Sequence, residues 1–214
     1  MECSVFNCLR CSNCCFFNDE RDMPILLPHE VYYLKILGRN LGLKLEFKRL
    51  DNGLYKWIIH GYCPFYDERA KSCRIHLEKP FACRMFPLLM DIASGRVVAS
   101  QQCTWIKKCE SSISNIANNP EKLVEVFPEE TIALAELIEI FYNTDSVIAI
   151  AATTKTIDNV LVKLSEKCSI LKHIESKTIE NLHLILLSKC SEKYIEELIG
   201  EDNIQFIIIE KPKF

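Results

Sequence analysis

Cys8-Leu9-Arg10-Cys11-Ser12-Asn13-Cys14-Cys15 packs four thiols into eight residues, and Cys63, Cys73, Cys83 and Cys103 follow. Ten of the chain's twelve cysteines lie in its first 110 residues. Thiols at this density serve as disulfides or as ligands for soft metals. The choice sets the fold, either a disulfide scaffold or short loops and hairpins pinned by metal. A disulfide scaffold needs an oxidising compartment and usually a domain short of core. The start, Met1-Glu2-Cys3-Ser4-Val5, has no basic segment leading into an apolar one, so no signal peptide is expected. No apolar run reaches about 18 residues, so no membrane-spanning helix is expected either. At 214 residues and 49% hydrophobic, the chain can bury a core without staples. A bridge between adjacent Cys14 and Cys15 would be strained. Metal is therefore the expected use of the cluster, in a cytoplasmic protein. Cys168 and Cys190 read as inert core thiols.

C-x2-C turns let two thiolates converge on one ion, as in zinc and iron–sulfur sites. Eight candidate ligands, Cys8, Cys11, Cys14, Cys15, Cys63, Cys73, Cys83 and Cys103, suffice for two four-thiolate sites or for one larger cluster with accessory thiols. Cys14 and Cys15, as chain neighbours, are expected to point apart. They would then serve different metals, or one would stand outside the ligand set.

The run Phe6 to Cys15 resembles the signature of the CxxCxxCC family (YkgJ-like), described as zinc- or iron-chelating. Cys63-Pro64, Cys73-Arg74-Ile75-His76 and Pro80-Phe81-Ala82-Cys83-Arg84-Met85-Phe86-Pro87 resemble its later segments, and Cys103 falls where the family has its last cysteine. The resemblance covers roughly residues 6–105 and implies a bound metal without a settled reaction. Family members have been labelled iron–sulfur oxidoreductases, and flagellin lysine-N-methylases carry a similar cluster. This chain departs from the pattern at His76, where tyrosine is usual. His76 is read as a packing substitute rather than a ligand. Cys109 and Cys3 also lie outside the pattern, Cys109 as a spare thiol or a replacement ligand.

Residues 1–110 hold 16 Lys+Arg against 12 Asp+Glu, and residues 111–214 hold 10 against 17. A basic half invites a nucleic-acid reading. Thiolate-bound metal, however, leaves a negative site that needs nearby cations and donors. Arg10, Arg74, Arg84, Lys107 and Lys108 are read as such partners, and nucleic acid is disfavoured. Abundant Ile, Lys and Glu with few glycines suit a thermophile, where the compartment argument against disulfides loosens.

Along the chain, Pro28 starts a helix running to about Leu37. Lys44–Leu50 and Tyr55–Ile59 alternate around Asp51-Asn52-Gly53, a hairpin signal. A second hairpin joins Leu88–Ile92 to Val97–Gln101 through Ser94-Gly95. Residues 111–120 read as a connection, and Pro128–Tyr142 as a helix with acidic residues at its start. Beyond it the expected order is strand Ser146–Thr153, helix Ile157–Lys167, strand Ser169–Ile174, strand Leu182–Leu187, helix Glu192–Ile199 and strand Ile204–Ile209. The fold class is therefore α+β. A cysteine-rich metal-binding domain (1–112) with short hairpins and helices leads through a helical connector (113–144) to a small βαββαβ ferredoxin-like domain (145–214). His173 and His183 read as packing or surface residues, and Thr153 to Thr156 as a helix cap rather than a ligand site.

Three functions compete. The first is a protein holding an iron–sulfur cluster, with [4Fe–4S] favoured, in redox or cluster-dependent chemistry such as that of an iron–sulfur oxidoreductase. The second is a zinc-stabilised interaction module without catalysis. The third, methyl transfer, lacks a recognisable S-adenosylmethionine loop. The partner is expected to be an unidentified protein or a second copy, engaged through the C-terminal domain.

Overall fold

The computed structural model describes residues 3–91, 94–113, 116, 119–140, 147–199 and 204–209. Helices and strands are mixed along the chain, an α+β protein. The first stretch carries β1 (Phe16–Phe17), β2 (Ile25–Leu26), α1 (Pro28–Asn40), β3 (Glu46–Arg49), β4 (Tyr55–Ile58), β5 (Gly61–Tyr62), β6 (Tyr66–Asp67) and β7 (Ser72–Cys73). Then come α2 (Phe81–Arg84), β8 (Leu88–Asp91), β9 (Arg96–Ala99), α3 (Thr104–Ile113), α4 (Pro120–Val126) and α5 (Pro128–Ile138). The last stretch is β10 (Val147–Thr153), α6 (Ile157–Lys167), β11 (Ser169–Glu175), β12 (Leu182–Ser188), α7 (Glu192–Ile199) and β13 (Ile204–Ile209). Two compact units result. One gathers the chain up to Leu26 with Lys56–Glu139, the other Leu27–Tyr55 with the chain from Ile140.

The cysteine-rich unit is built from small pieces. β1 pairs with β5, and β6 with β7, over two residues each. β8 and β9 form the expected hairpin, with Leu88 opposite Ala99 and Asp91 opposite Arg96. Gly95 closes it at φ 69°, its amide on the Asp91 carbonyl at 2.7 Å. Aromatic groups supply the core. Phe6 meets Trp105 edge-on with centroids 5.3 Å apart and lies 5.5 Å from Phe127, while Trp57 abuts Phe65 at 5.8 Å.

Sequence reading missed two helices here. α3 and α4 flank the connection expected over 111–120, with only their ends, 111–113 and Pro120, reaching into it. Asn119 caps α4 by accepting from the Lys122 amide, and Pro120 takes the first helical position. The helix from Pro128 ends at Ile138, and residues 141–146, which hold its expected end at Tyr142 and the expected strand start at Ser146, lie outside the described residues.

In the other unit, β10 to β13 form one antiparallel sheet in the order β11-β12-β10-β13. Leu182–Ser188 is buried at every position, as an inner strand covered on both faces must be. One face meets α6 and α7 through Ile150, Ile185, Leu187, Leu164 and Ile195. Tyr194 of α7 donates to the Lys163 carbonyl at 2.6 Å, tying the two helices. α1 lies against β13 and is capped by Glu30, whose carboxylate accepts the Leu27 amide at 2.8 Å. The turn at 51–53 is as expected. Leu50 N–H donates to the Leu54 carbonyl at 2.8 Å, with Gly53 at φ 84°. The segment Leu27–Tyr55 groups with this unit, although the sequence reading assigned it to the cysteine-rich stretch.

Cys168 and Cys190 were read as inert thiols, but they form a disulfide at the rim of this core. A second disulfide joins Cys3 to Cys109 in the cysteine-rich unit, which settles Cys109 as neither spare thiol nor ligand.

Candidate metal centre

The loop carrying Cys8 to Cys15 is shaped by two left-handed residues, Arg10 (φ 50°) and Ser12 (φ 63°), on either side of Cys11. Such residues are uncommon outside glycine and fold the C-x2-C segment back on itself. A 3-10 turn over Asn13–Cys15 follows, with the Cys15 amide on the Ser12 carbonyl at 2.8 Å. Asn13 Nδ2 donates to the Gln102 carbonyl at 3.0 Å and to Thr104 Oγ1 at 3.2 Å. These bonds bring the Cys11 loop to the segment carrying Cys103. Cys103 precedes α3, and its thiol accepts the Ile106 and Trp105 amides there.

On the loop's other side, the Cys63 amide donates to the Cys15 carbonyl at 2.7 Å, just beyond the Phe16–Tyr62 pair of β1 and β5. The turn Cys63-Pro64-Phe65-Tyr66 closes with the Tyr66 amide on the Cys63 carbonyl at 2.8 Å, and the Phe65 and Tyr66 amides also face the Cys63 sulfur. β6 and β7 then set Cys73 opposite Tyr66. Arg74 holds this knuckle by donating its guanidinium to the Pro64 carbonyl at 2.5 Å. Cys83 sits in the single turn of α2.

The thiols fall into two electrostatic groups linked through Cys14, which feels Cys11 as well as Cys15. Cys83 feels Cys63, Cys14 and Cys73; Cys63 feels Cys73 and Cys14; Cys14 feels Cys15. Cys103 instead feels Cys11 and Cys8. Cys14 and Cys15, expected to point apart, bring their sulfurs to 3.7 Å. Two sulfurs on one tetrahedral zinc ion stand about 3.8 Å apart, given Zn–S bonds of about 2.3 Å.

Burial drives most thiol shifts. It pushes Cys63 up to about 12 and raises Cys73, Cys83 and Cys103. Cys14 is raised first by its contact with Cys15, then by burial. Cys11 differs. Burial pushes it up, but hydrogen bonds from the Thr104 side chain and nearby amides outweigh this and leave it below its ordinary value. A soft-donor set fits zinc or iron. Among the described residues, no three cysteine, histidine or carboxylate side chains are already closed around one point, so the loops must draw in to bind an ion.

The cation that faces this group is Lys79, which sequence reading passed over. It acts on Cys14, Cys73 and Cys83 and on the buried Glu130. Its one sequence signal is its position between Cys73 and Cys83, six residues after the first and four before the second. Of the expected partners, Arg74 acts on Cys73. Arg84 is engaged with Glu136 at 2.8 Å, and Lys107 and Lys108 lie exposed on α3. His76 is exposed in a 3-10 turn rather than packed. Aromatic rings flank the thiols. Phe16 meets Tyr62 at 4.8 Å, and Tyr62 stacks on Tyr66 at 5.3 Å.

Residues 7–111 match the CxxCxxCC family, whose description is "Putative zinc- or iron-chelating domain". Over 111 residues the chain is 26% identical to a protein of Methanocaldococcus jannaschii named "Uncharacterized protein MJ0661". The aligned stretch covers 49% of this chain and 57% of that relative. No solved structure matches. No helix among the described residues is long and apolar enough to cross a membrane.

Proposed function

Because residues 7–111 belong to the CxxCxxCC family of zinc- or iron-chelating domains, we propose that the protein holds an iron–sulfur cluster, [4Fe–4S] in preference, and works in redox or cluster-dependent chemistry in the cytoplasm. The observation that carries this reading is the mutual neighbourhood of Cys14, Cys15, Cys63, Cys73 and Cys83. These five thiols offer four ligands and one accessory sulfur. Cys8, Cys11 and Cys103 form a second, smaller group beside α3. When bound, such a cluster supplies one-electron chemistry at a potential set by hydrogen bonds, charge and exposure. The chain's own part is to hold the ligands. The Phe65 and Tyr66 amides face the Cys63 sulfur, the Ile75 amide faces Cys73, and Lys79 offsets negative charge. Two disulfides fit a cytoplasmic setting where the source is a hyperthermophile.

A zinc-stabilised module is the second reading. The partial burial of Cys83 and Cys63 favours it, since closed all-thiolate sites are typically structural. For residues 147–209 the reading is a ferredoxin-like arrangement serving partner docking or dimerisation. Its support is the β10-α6-β11-β12-α7-β13 sequence with β10 and β12 at the sheet centre.

The test is anaerobic purification, visible absorption, and iron and zinc counted per chain. A broad band near roughly 400 nm with stoichiometric iron supports the cluster. Colourless protein with zinc alone overturns it in favour of the structural module.

A further inference from the structure

β11 and β12 run antiparallel with His173 opposite Ile185 and Glu175 opposite His183. Opposed residues share a face, as do residues two apart along a strand. His173, Glu175, His183 and Ile185 therefore lie on one face, which Ile185 joins to the helix-covered core. The imidazoles meet there. His173 Nε2 stands 3.2 Å from His183 Nδ1, with the rings tilted by 34°. His183 is 4% exposed, whereas His173 opens to solvent at the rim. Asp158, in the first turn of α6, and Glu175 both act on His173. Burial and the neighbouring His183 hold the His173 ring towards its neutral, lone-pair form.

The 3.2 Å spacing suits one shared proton, and it also matches the separation of two nitrogens on one ion. Two nitrogens on one tetrahedral ion lie about 3.3 Å apart, given Zn–N bonds of about 2.0–2.1 Å. A pair of imidazoles with carboxylates is a borderline donor set that takes zinc, copper or nickel in preference to calcium or magnesium. Glu175 is engaged with Lys177 at 3.0 Å, but both side chains are exposed, and such pairs exchange at little cost. Asp158 is exposed on α6 and free to reorient.

We propose that His173 and His183, completed by Glu175 and Asp158, form a nitrogen–oxygen site for a borderline divalent cation. The site uses no thiol and does not depend on the reading of the cysteine cluster. Two nitrogens are in place, and the carboxylates swing in when the ion arrives.

The probe is cadmium-113 added alone to the full chain under reducing conditions and followed by NMR, where sulfur-rich and nitrogen–oxygen sites resonate in separate regions. Wild type is expected to show a nitrogen–oxygen resonance that saturates at one equivalent beyond that taken by the thiols. His173→Gln, a change at an exposed position, should abolish it while leaving the far-ultraviolet circular dichroism and any thiolate resonances unchanged. No nitrogen–oxygen resonance in wild type at several equivalents overturns the proposal, as does one that survives in His173→Gln. Failure of the cysteine cluster to bind would remove only the thiolate resonances, so the two readings fail separately.

Discussion

In the cysteine-rich unit most strands among the described residues span two residues, and none spans more than four. In the other unit β10, β11 and β12 run for seven residues each and pair side by side in one sheet. Two-residue pairings cannot carry a fold by their own ladders, whereas a sheet of several strands with an apolar face can. Ile150, Leu164, Ile185, Leu187 and Ile195 are wholly buried against that sheet. The cysteine-rich unit instead adds separate aromatic contacts to its buried aliphatic residues, and its free thiols run from exposed Cys8 to buried Cys103. The sheet unit is held by burial, and the cysteine-rich unit also buries Trp57, Phe65, Leu88, Trp105 and Phe127; on the proposed function, metal binding adds to its folding free energy.

The sharpest way to break that contrast is Cys83→Ala. On the proposed function it should cost the metal held with Cys14, Cys63 and Cys73 and lower the stability of the cysteine-rich unit, because metal binding there adds to its folding free energy. Hydrogen exchange should show β10 and β12 amides still protected. Joint loss of protection in both units would end the distinction.

Cys190→Ala probes the other side. Removing its bridge to Cys168, 22 residues away in sequence, should cost about 3 kcal/mol in urea unfolding under oxidising conditions. Metal content should stay unchanged. Wild-type stability in that variant would mean that the two thiols act as ordinary core residues.

His29 gives the sheet unit an acid weakness. The side chain is 2% exposed, and burial, aided by Lys172, holds its pKa near 3 against an ordinary 6.5. The unfolded chain therefore binds the proton first. The stability from a neutral His29 is complete above about pH 6.5 and falls by about 2 kcal/mol between pH 6.5 and 5. His29→Leu should flatten that decline in thermal melts followed on the sheet signal, and an unchanged slope would reject the assignment.

Glu130 gives the cysteine-rich unit the opposite, smaller dependence. Burial raises its carboxyl from 4.5 to about 7. The folded state then holds a proton that the unfolded state has lost, so this contribution is complete below about pH 4.5 and declines up to pH 7. With allowance for solvent screening, Glu130→Gln should gain about 1 kcal/mol at pH 8 and nothing at pH 4. Equal effects at the two pH values would refute the shift.

Much of this architecture can be read from residues alone because its signals are local. Asp51-Asn52-Gly53 and Ser94-Gly95 name their turns, and Pro28 names a helix start. The apolar runs at 147–153 and 182–188 are strands as expected. α3 escaped notice because Cys103-Thr-Trp-Ile-Lys-Lys-Cys109 was read for its thiols, while Trp105, Ile106 and Cys109 form the buried stripe of a helix. α4 escaped because the asparagines before it read as loop, although Asn119 is its cap.

The sequence by itself determined the chemistry of the donors and the order of the elements, because residue type and short-range periodicity are local properties. Only the tertiary structure decided which thiols meet. Cys14 acts on Cys83, 69 residues away in sequence. Cys3 crosses 106 residues to Cys109, and His173 finds His183 through strand register. Contacts at such separations follow from how the chain packs and how its strands align, and neither spacing nor composition encodes that directly.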